Sequence, residues 1–199
     1  LRVVRVGACI QQHSDQCWIP LAATSYSRGQ RRLWILVRGI DVSAAGSSVL
    51  CEDSPTLSLT EALTLAAWAC PKGRDTGTFG TVIRKDEAYA LRFDGSRIGL
   101  LLWCGGQVSY LHSPPLDLKP GTWLHLAGTY DGQAARLYVD GAEVAVSTAP
   151  LPGALDRSGA PCCIGSCRGQ HAFPGLIDEV KVYARALTAA EIQTEHLAG

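Results

Sequence analysis

The stretch Thr122-Trp-Leu-His-Leu-Ala-Gly-Thr-Tyr-Asp-Gly-Gln-Ala-Ala-Arg-Leu-Tyr-Val-Asp-Gly-Ala-Glu-Val144 decides the fold. In its first half Trp123, Leu124, Leu126, Ala127 and Tyr130 are interleaved with His125, Gly128 and Thr129. In its second half Ala135, Leu137 and Val139 alternate with Arg136, Tyr138 and Asp140. Successive side chains of a strand leave opposite faces, so a period of two marks half-buried antiparallel strands. Asp131-Gly132 and Asp140-Gly141 fall where the alternation breaks, and Asp-Gly is a two-residue hairpin signal because both central positions tolerate positive φ. The stretch predicts a three-stranded meander whose last strand runs over 143–147.

Outward from the meander, the same pattern predicts strands near 47–52, 63–70, 79–85, 88–94, 97–103, 107–112, 122–131, 134–140, 143–148, 161–165 and 176–184. Asp94-Gly95, Gly105-Gly106, Pro114-Pro115, Pro120-Gly121 and Pro152-Gly153 punctuate them. Short strands at regular intervals make a sandwich. One helix is signalled over 189–197: Thr188-Ala-Ala-Glu191 has capping-box spacing, and Leu187 with Ile192 has the spacing of a hydrophobic staple. Residues 1–39 differ. Val3 to Val6 and Leu33 to Arg38 read as strands, and six Arg against one Asp lie among residues 1–40. That excess reads as a solvated, aggregation-resistant sheet edge in preference to an anion-binding arm.

With 199 residues the chain is long enough for one large sandwich with a substantial core. Hydrophobic residues make up 47% and charged residues 18%, which excludes general disorder. Zero formal net charge gives no overall reason to bind nucleic acid or an anionic membrane, and no apolar run approaches the roughly 20 residues of a membrane span. Met is absent, as in a processed or excised product, and Asn is absent, so no N-glycosylation acceptor exists. Eight cysteines point to an extracellular or periplasmic, oxidising setting with most of them paired, in a connectivity that spacing cannot supply.

Three motifs in the right order resemble the laminin-G-like, concanavalin-A-type jelly-roll family. They are Trp-x-His-x-Ala-x-Thr-Tyr-Asp-Gly at Trp123 to Gly132, Leu-Tyr-Val-Asp-Gly at Leu137 to Gly141, and Phe-x-Gly-x-Ile-Asp-Glu-Val-x-x-Tyr-x-Arg-Ala-Leu at Phe173 to Leu187. Asp53 to Trp68 is similar to the family's opening strand. The resemblance covers about residues 40–199 and implies an all-β jelly-roll β-sandwich of two antiparallel sheets with a short C-terminal helix. It places Trp68 and Trp123 in the core. It also implies a Ca²⁺ site joining Asp178 of Ile177-Asp-Glu-Val180 to a loop that carries Asp41 and Gly46, since a hard cation takes carboxylate and carbonyl oxygens. Fold alone does not name a function, because this one serves lectins, adhesion modules and glycan-active enzymes.

Cys9, His13 and Cys17 share their spacing with Cys163, Cys167 and His171, which on a helix would suit a soft metal, but Gly165 and Gly169 interrupt the second set and disulfides explain it better. A retaining glucanase of this fold needs two carboxylates about 5 Å apart on a Glu-x-Asp-x-x-Glu strand, and no Glu here has Asp two residues on. No Gly-x-Ser-x-Gly elbow occurs either, and His112 and His125 remain the candidate bases. A sugar site wants aromatic platforms with planar polar groups. Trp103, Tyr110 and His112, on strands joined by Cys104-Gly-Gly106, supply the first, and Arg84, Arg92 and Asp86 the second. The preferred reading is a secreted module, part of a larger protein, that binds carbohydrate or an extracellular protein with calcium assistance. The alternatives are a glycan-active hydrolase without a visible motif and a structural adhesion or spacer domain.

Overall fold

A computed structural model describes residues 41–199 apart from 43–46, 74–78, 148–150, 152 and 168–169, together with the backbone of 8–9, 32–34 and 40. Fourteen strands are described: β1 (Ala8–Cys9), β2 (Arg32–Trp34), β3 (Ile40–Asp41), β4 (Val49–Cys51), β5 (Leu63–Pro71), β6 (Gly80–Lys85), β7 (Tyr89–Asp94), β8 (Arg97–Cys104), β9 (Gln107–His112), β10 (Leu124–Tyr130), β11 (Ala135–Val139), β12 (Ala142–Val146), β13 (Cys162–Ile164) and β14 (Gly175–Tyr183). Helix α1 spans Ala189–Ala198. The first sheet runs β1-β4-β13-β6-β7-β8-β9, and the second β12-β11-β10-β5-β14-β2 with β3 also on β14. All the pairings are antiparallel. The predicted jelly-roll sandwich with its closing helix is what forms.

Alternation decides which residues meet between the sheets. Leu63, Leu65, Ala67 and Ala69 of β5, Leu126 and Tyr130 of β10, and Ile177 and Val182 of β14 face Ile83, Leu91, Phe93, Ile98, Leu100 and Leu102 of the first sheet in one core. Each large aliphatic side chain buried there contributes roughly 1.5–3 kcal/mol. Phe93 stacks on Phe173 at 4.9 Å between ring centroids. Gly128 marks a close approach of the sheets, because a Cβ there would come within 2.9 Å of the Leu100 side chain.

The meander β10-β11-β12 forms as the alternation predicts. Val139 pairs with Ala142 across Asp140-Gly141, and both turn residues have positive φ, 50° and 79°. Asp131-Gly132 is not a two-residue turn, because Tyr130 pairs with Ala135 and leaves four residues in the loop. Asp131 Oδ1 accepts hydrogen bonds from the Gln133 and Ala134 amides, so the side chain closes this longer loop itself. Strand Val3 to Val6 lies outside the described residues. Leu33 to Arg38 is described only at its start, within β2.

The second sheet's outer face carries a further apolar layer. Ala66, Ala127, Tyr138 and Tyr183 project outward there and pack with Leu187 and Ile192 of the closing segment. Helix α1 starts at the predicted capping box: Glu191 N donates to Thr188 Oγ1, and Thr188 N donates to Glu191 Oε2. Trp68 and Trp123 correct the expectation that both are core. Trp68 points out of β5 into the aromatic group under α1, and Trp123 is 38% exposed ahead of β10. Among the described residues no disulfide is formed. No described helix is long and apolar enough to cross a membrane.

Candidate functional site

The residues chosen as a ligand platform come from four consecutive strands, and register brings them to one face. Arg84 of β6 pairs with Ala90 of β7, Ala90 with Leu101 of β8, and Leu101 with Tyr110 of β9. The next row on that face runs Thr81, Arg92, Gly99, His112. Trp103, two residues along β8 from Leu101, shares the face. Tyr89, Leu91 and Phe93 are core, so the even-numbered residues of β7 must point away from it. At a strand spacing of about 4.8 Å, Arg84 and Tyr110 stand about 14 Å apart. Ala90 and Leu101 are buried between them.

The polar groups on this face are tied to one another. Arg84 Nε pairs with Asp86 Oδ1, and the Arg84 guanidinium sits 5.8 Å from the Trp103 ring. Arg92 lies over Phe79 at 4.0 Å and reaches Asp94 Oδ2 with Nη2 at 3.3 Å. Its Nε is buried and has no partner. Asp94 Oδ2 also sits 2.9 Å from His112 Nε2. A carboxylate can only accept, so that contact places a proton on Nε2. The His112 and Tyr110 rings are nearly parallel, 8° apart with centroids 6.1 Å apart, and Tyr110 is 56% exposed. Gly99 leaves room for this pair, because a Cβ there would meet the His112 ring at 3.3 Å.

Such a face offers a flat aromatic plate at one end, the Arg84 guanidinium at the other and Arg92 between them, each guanidinium paired with a carboxylate. Plates take the C–H face of a sugar, and planar donors and acceptors take its hydroxyl or carboxylate groups. Phe79, Asp94 and Gly99 were not singled out from the sequence. Asp94 was read only as turn punctuation, although Arg92-x-Asp94 on a strand must share a face.

Of the residues expected to hold calcium, Asp178 and Asp41 each have a partner within the protein. Asp178 Oδ1 accepts from the Glu179 amide at 2.7 Å, inside a bulge where the β14–β5 register shifts and Glu179 takes φ 46°. Asp41, opposite Leu176, is ion-paired with Lys72 at 3.0 Å. Gly46 lies outside the described residues, as do His13 and Cys17. Among the described residues no group of three or more His, Cys, Asp or Glu is placed to hold a metal ion.

His125, the other candidate base, is 2% exposed and packs between Trp68 and His196 under α1. Burial, then His196, lowers its pKa to about 4. It is a packed neutral ring away from the platform.

Residues 43–193 match the family profile described as the concanavalin A-like lectin/glucanases superfamily, Laminin_G_3. Human pappalysin-1 is 35% identical over 114 residues, which is 56% of this chain and 6% of that protein. Mouse pappalysin-1 is 35% identical over 79 residues, 38% of this chain and 5% of that protein. The chain thus spans about one-twentieth of these relatives' length. Among solved structures, the binding domain of Paraclostridial Mosquitocidal Protein 1 aligns with a TM-score of 0.66 at 11% identity, over 88% of this chain and 47% of that one. The botulinum neurotoxin serotype D ligand-binding domain in complex with N-acetylneuraminic acid aligns at 0.66 and 10% identity, over 89% and 48%. At such identity these neighbours share the fold, and the profile match over most of the chain shows that it belongs to the laminin-G-like family of the concanavalin A-like lectin/glucanases superfamily.

Proposed function

We propose that this chain is an extracellular binding module that holds a carbohydrate on the outer face of β6–β9. The observation that carries the reading is the convergence of Arg84, Arg92, Trp103, Tyr110 and His112 on one face, with the Tyr110 ring largely exposed and backed by His112. A structural neighbour that binds N-acetylneuraminic acid and another in complex with synaptotagmin II support a carbohydrate or a protein as ligand class for this fold. The match to a short part of pappalysin-1 supports a place within a longer protein. Calcium assistance through Asp178 and Asp41 requires the Lys72 pair to open, because Lys72 occupies the Asp41 carboxylate.

A glycan panel read for both retention and new reducing ends, with Ca²⁺ and with EDTA, tests this. Retention without product, reduced at least tenfold by Tyr110→Ala, is the expected result. Retention that Tyr110→Ala leaves unchanged would move the site elsewhere. The His112–Asp94 pair favours a second reading, a hydrolase in which His112 moves the proton. New reducing ends abolished by His112→Gln would establish it.

A further inference from the structure

Beside the ligand platform, at the β13 end of the Arg84 row, two cysteines lie in contact. Cys163 pairs with Arg84 across β13 and β6, so its side chain shares the platform's face. After β13 the chain turns back through Gly165, whose φ of 85° would strain any other residue and whose Cβ would strike Val42. Gly165 O accepts from Phe173 N, and Cys167 forms a backbone bridge to Gln170. This hairpin sets Cys167 Sγ 3.4 Å from Cys163 Sγ. Cys167 Sγ also approaches Asp86 Oδ2 at 3.4 Å.

We infer that Cys163 and Cys167 close a disulfide that staples the β13 hairpin at the margin of the ligand face. A disulfide brings its sulfurs to about 2.05 Å, so the two atoms need to approach by little more than an ångström. The sheet offers two other pairings. Cys9 and Cys163 both sit opposite Leu50, on either side of β4. Two strand spacings, about 9.6 Å, separate them, beyond the roughly 7 Å that a disulfide spans. Cys51 and Cys162 face each other across β4 and β13 but point into the core.

The closing step uses a small-molecule disulfide such as oxidised glutathione. One cysteine thiolate attacks it, releasing one glutathione thiolate and leaving a mixed disulfide. The second cysteine thiolate then displaces the other glutathione, so two thiols and one oxidant give one protein disulfide and two reduced glutathiones, with two electrons transferred. Burial and the neighbouring Cys163 push the Cys167 thiol up to about 12, so in the folded reduced protein it is a poor nucleophile. Closure therefore takes place most readily before the hairpin is packed, during folding in an oxidising redox buffer.

The protein refolded in a glutathione redox buffer, alkylated without reduction and cut with trypsin, tests the pairing. Cys162, Cys163 and Cys167 fall on one peptide, residues 158–168. Expected is that peptide about 2 Da lighter than its dithiol form, carrying one alkyl group at Cys162, with fragmentation silent between Cys163 and Cys167. A five-residue ring should raise Tm by about 4–8 °C over the reduced protein. Cys167→Ser should abolish the redox-dependent part of that rise, and Cys70→Ser should leave it intact. A cross-link from Cys163 or Cys167 to any other cysteine, or alkyl groups on both Cys163 and Cys167 after oxidative refolding, would overturn the inference without any variant having to fold.

Discussion

Each sheet turns an aromatic–histidine pair outward, and the two pairs have opposite fates. On the first sheet Tyr110 and His112 stack at 6.1 Å with Tyr110 largely exposed. On the second, Trp68 stacks on His196 at 5.5 Å and tilts against His125 at 5.3 Å, and α1 closes over the group. Trp68 Nε1, His125 Nδ1 and His196 Nδ1 are buried there without partners, whereas His112 keeps Asp94. Lys181 draws Glu179 and Glu195 into the covered group, and Arg84 and Arg92 hold Asp86 and Asp94 at the margins of the other. The same residue types thus serve adhesion of a helix on one side and a platform on the other. What separates them is the cap that Thr188 and Glu191 set at the start of α1.

The largest expected effect breaks the covered face. Ile192 is fully buried and is the helix's anchor among Ala66, Ala127, Tyr138, Tyr183 and Leu187. Ile192→Ala should cost about 2–5 kcal/mol in urea unfolding, while glycan retention per folded molecule stays the same. A parallel loss of retention would show that the two faces are coupled.

Acid should act on the same face next. His125 has a folded pKa of about 4 against an ordinary 6.5, lowered first by burial and then by His196 and Lys181, with Glu195 opposing. A lowered histidine is neutral when folded, so its contribution is fully present above about pH 6.5. It falls as pH drops from about 6.5 to about 4, where the native state also takes the proton. The loss by pH 4.5 should be of order 2–3 kcal/mol. His125→Gln should flatten the variant's own stability profile over this range, so that the wild-type minus variant difference changes by that amount between pH 7 and 4.5. A difference that does not change with pH would remove His125 as its source.

On the platform the sign reverses. Tyr110→Ala should leave stability within about 0.5 kcal/mol yet weaken retention tenfold or more, about 1.4 kcal/mol. Arg92→Ala is not a clean partner for it, because Arg92 is buried over Phe79 and its loss would also disturb packing.

The contrast between the faces also shows how much the sequence carried. From β4 onward strand positions were legible to within a residue or two, because period-two runs end at Gly and Asp whose conformations the turns require. The shared face of Arg84, Arg92, Trp103, Tyr110 and His112 was legible from strand alternation, which turns them away from Tyr89, Leu91 and Phe93. Which face of the second sheet is core was not legible. Ala66, Ala127 and Tyr138 are apolar because a helix covers them, and alternation blurs when both faces are buried. Trp68 was misplaced for that reason. Asp178 carries the family's motif, yet its carboxylate supports the left-handed Glu179 of a bulge, a local backbone demand that no spacing displays.

The smallest effect isolates the cap itself. Thr188→Ala removes the acceptor for Glu191 N and leaves Glu191 Oε2 on the Thr188 amide. Loss of such a cap costs about 1 kcal/mol. Arg185 still holds Glu191 through two bonds of 2.8 and 2.7 Å, and the two side chains are 33% and 39% exposed, so the pair retains the helix start without adding much stability. Hydrogen exchange should therefore quicken in the first turn of α1, around Glu191 and Ile192, while β8 and β9 amides and glycan retention do not change. Equal quickening in β8 and β9 would mean that the cap stabilises the whole sandwich, and that the covered face and the platform melt as one unit.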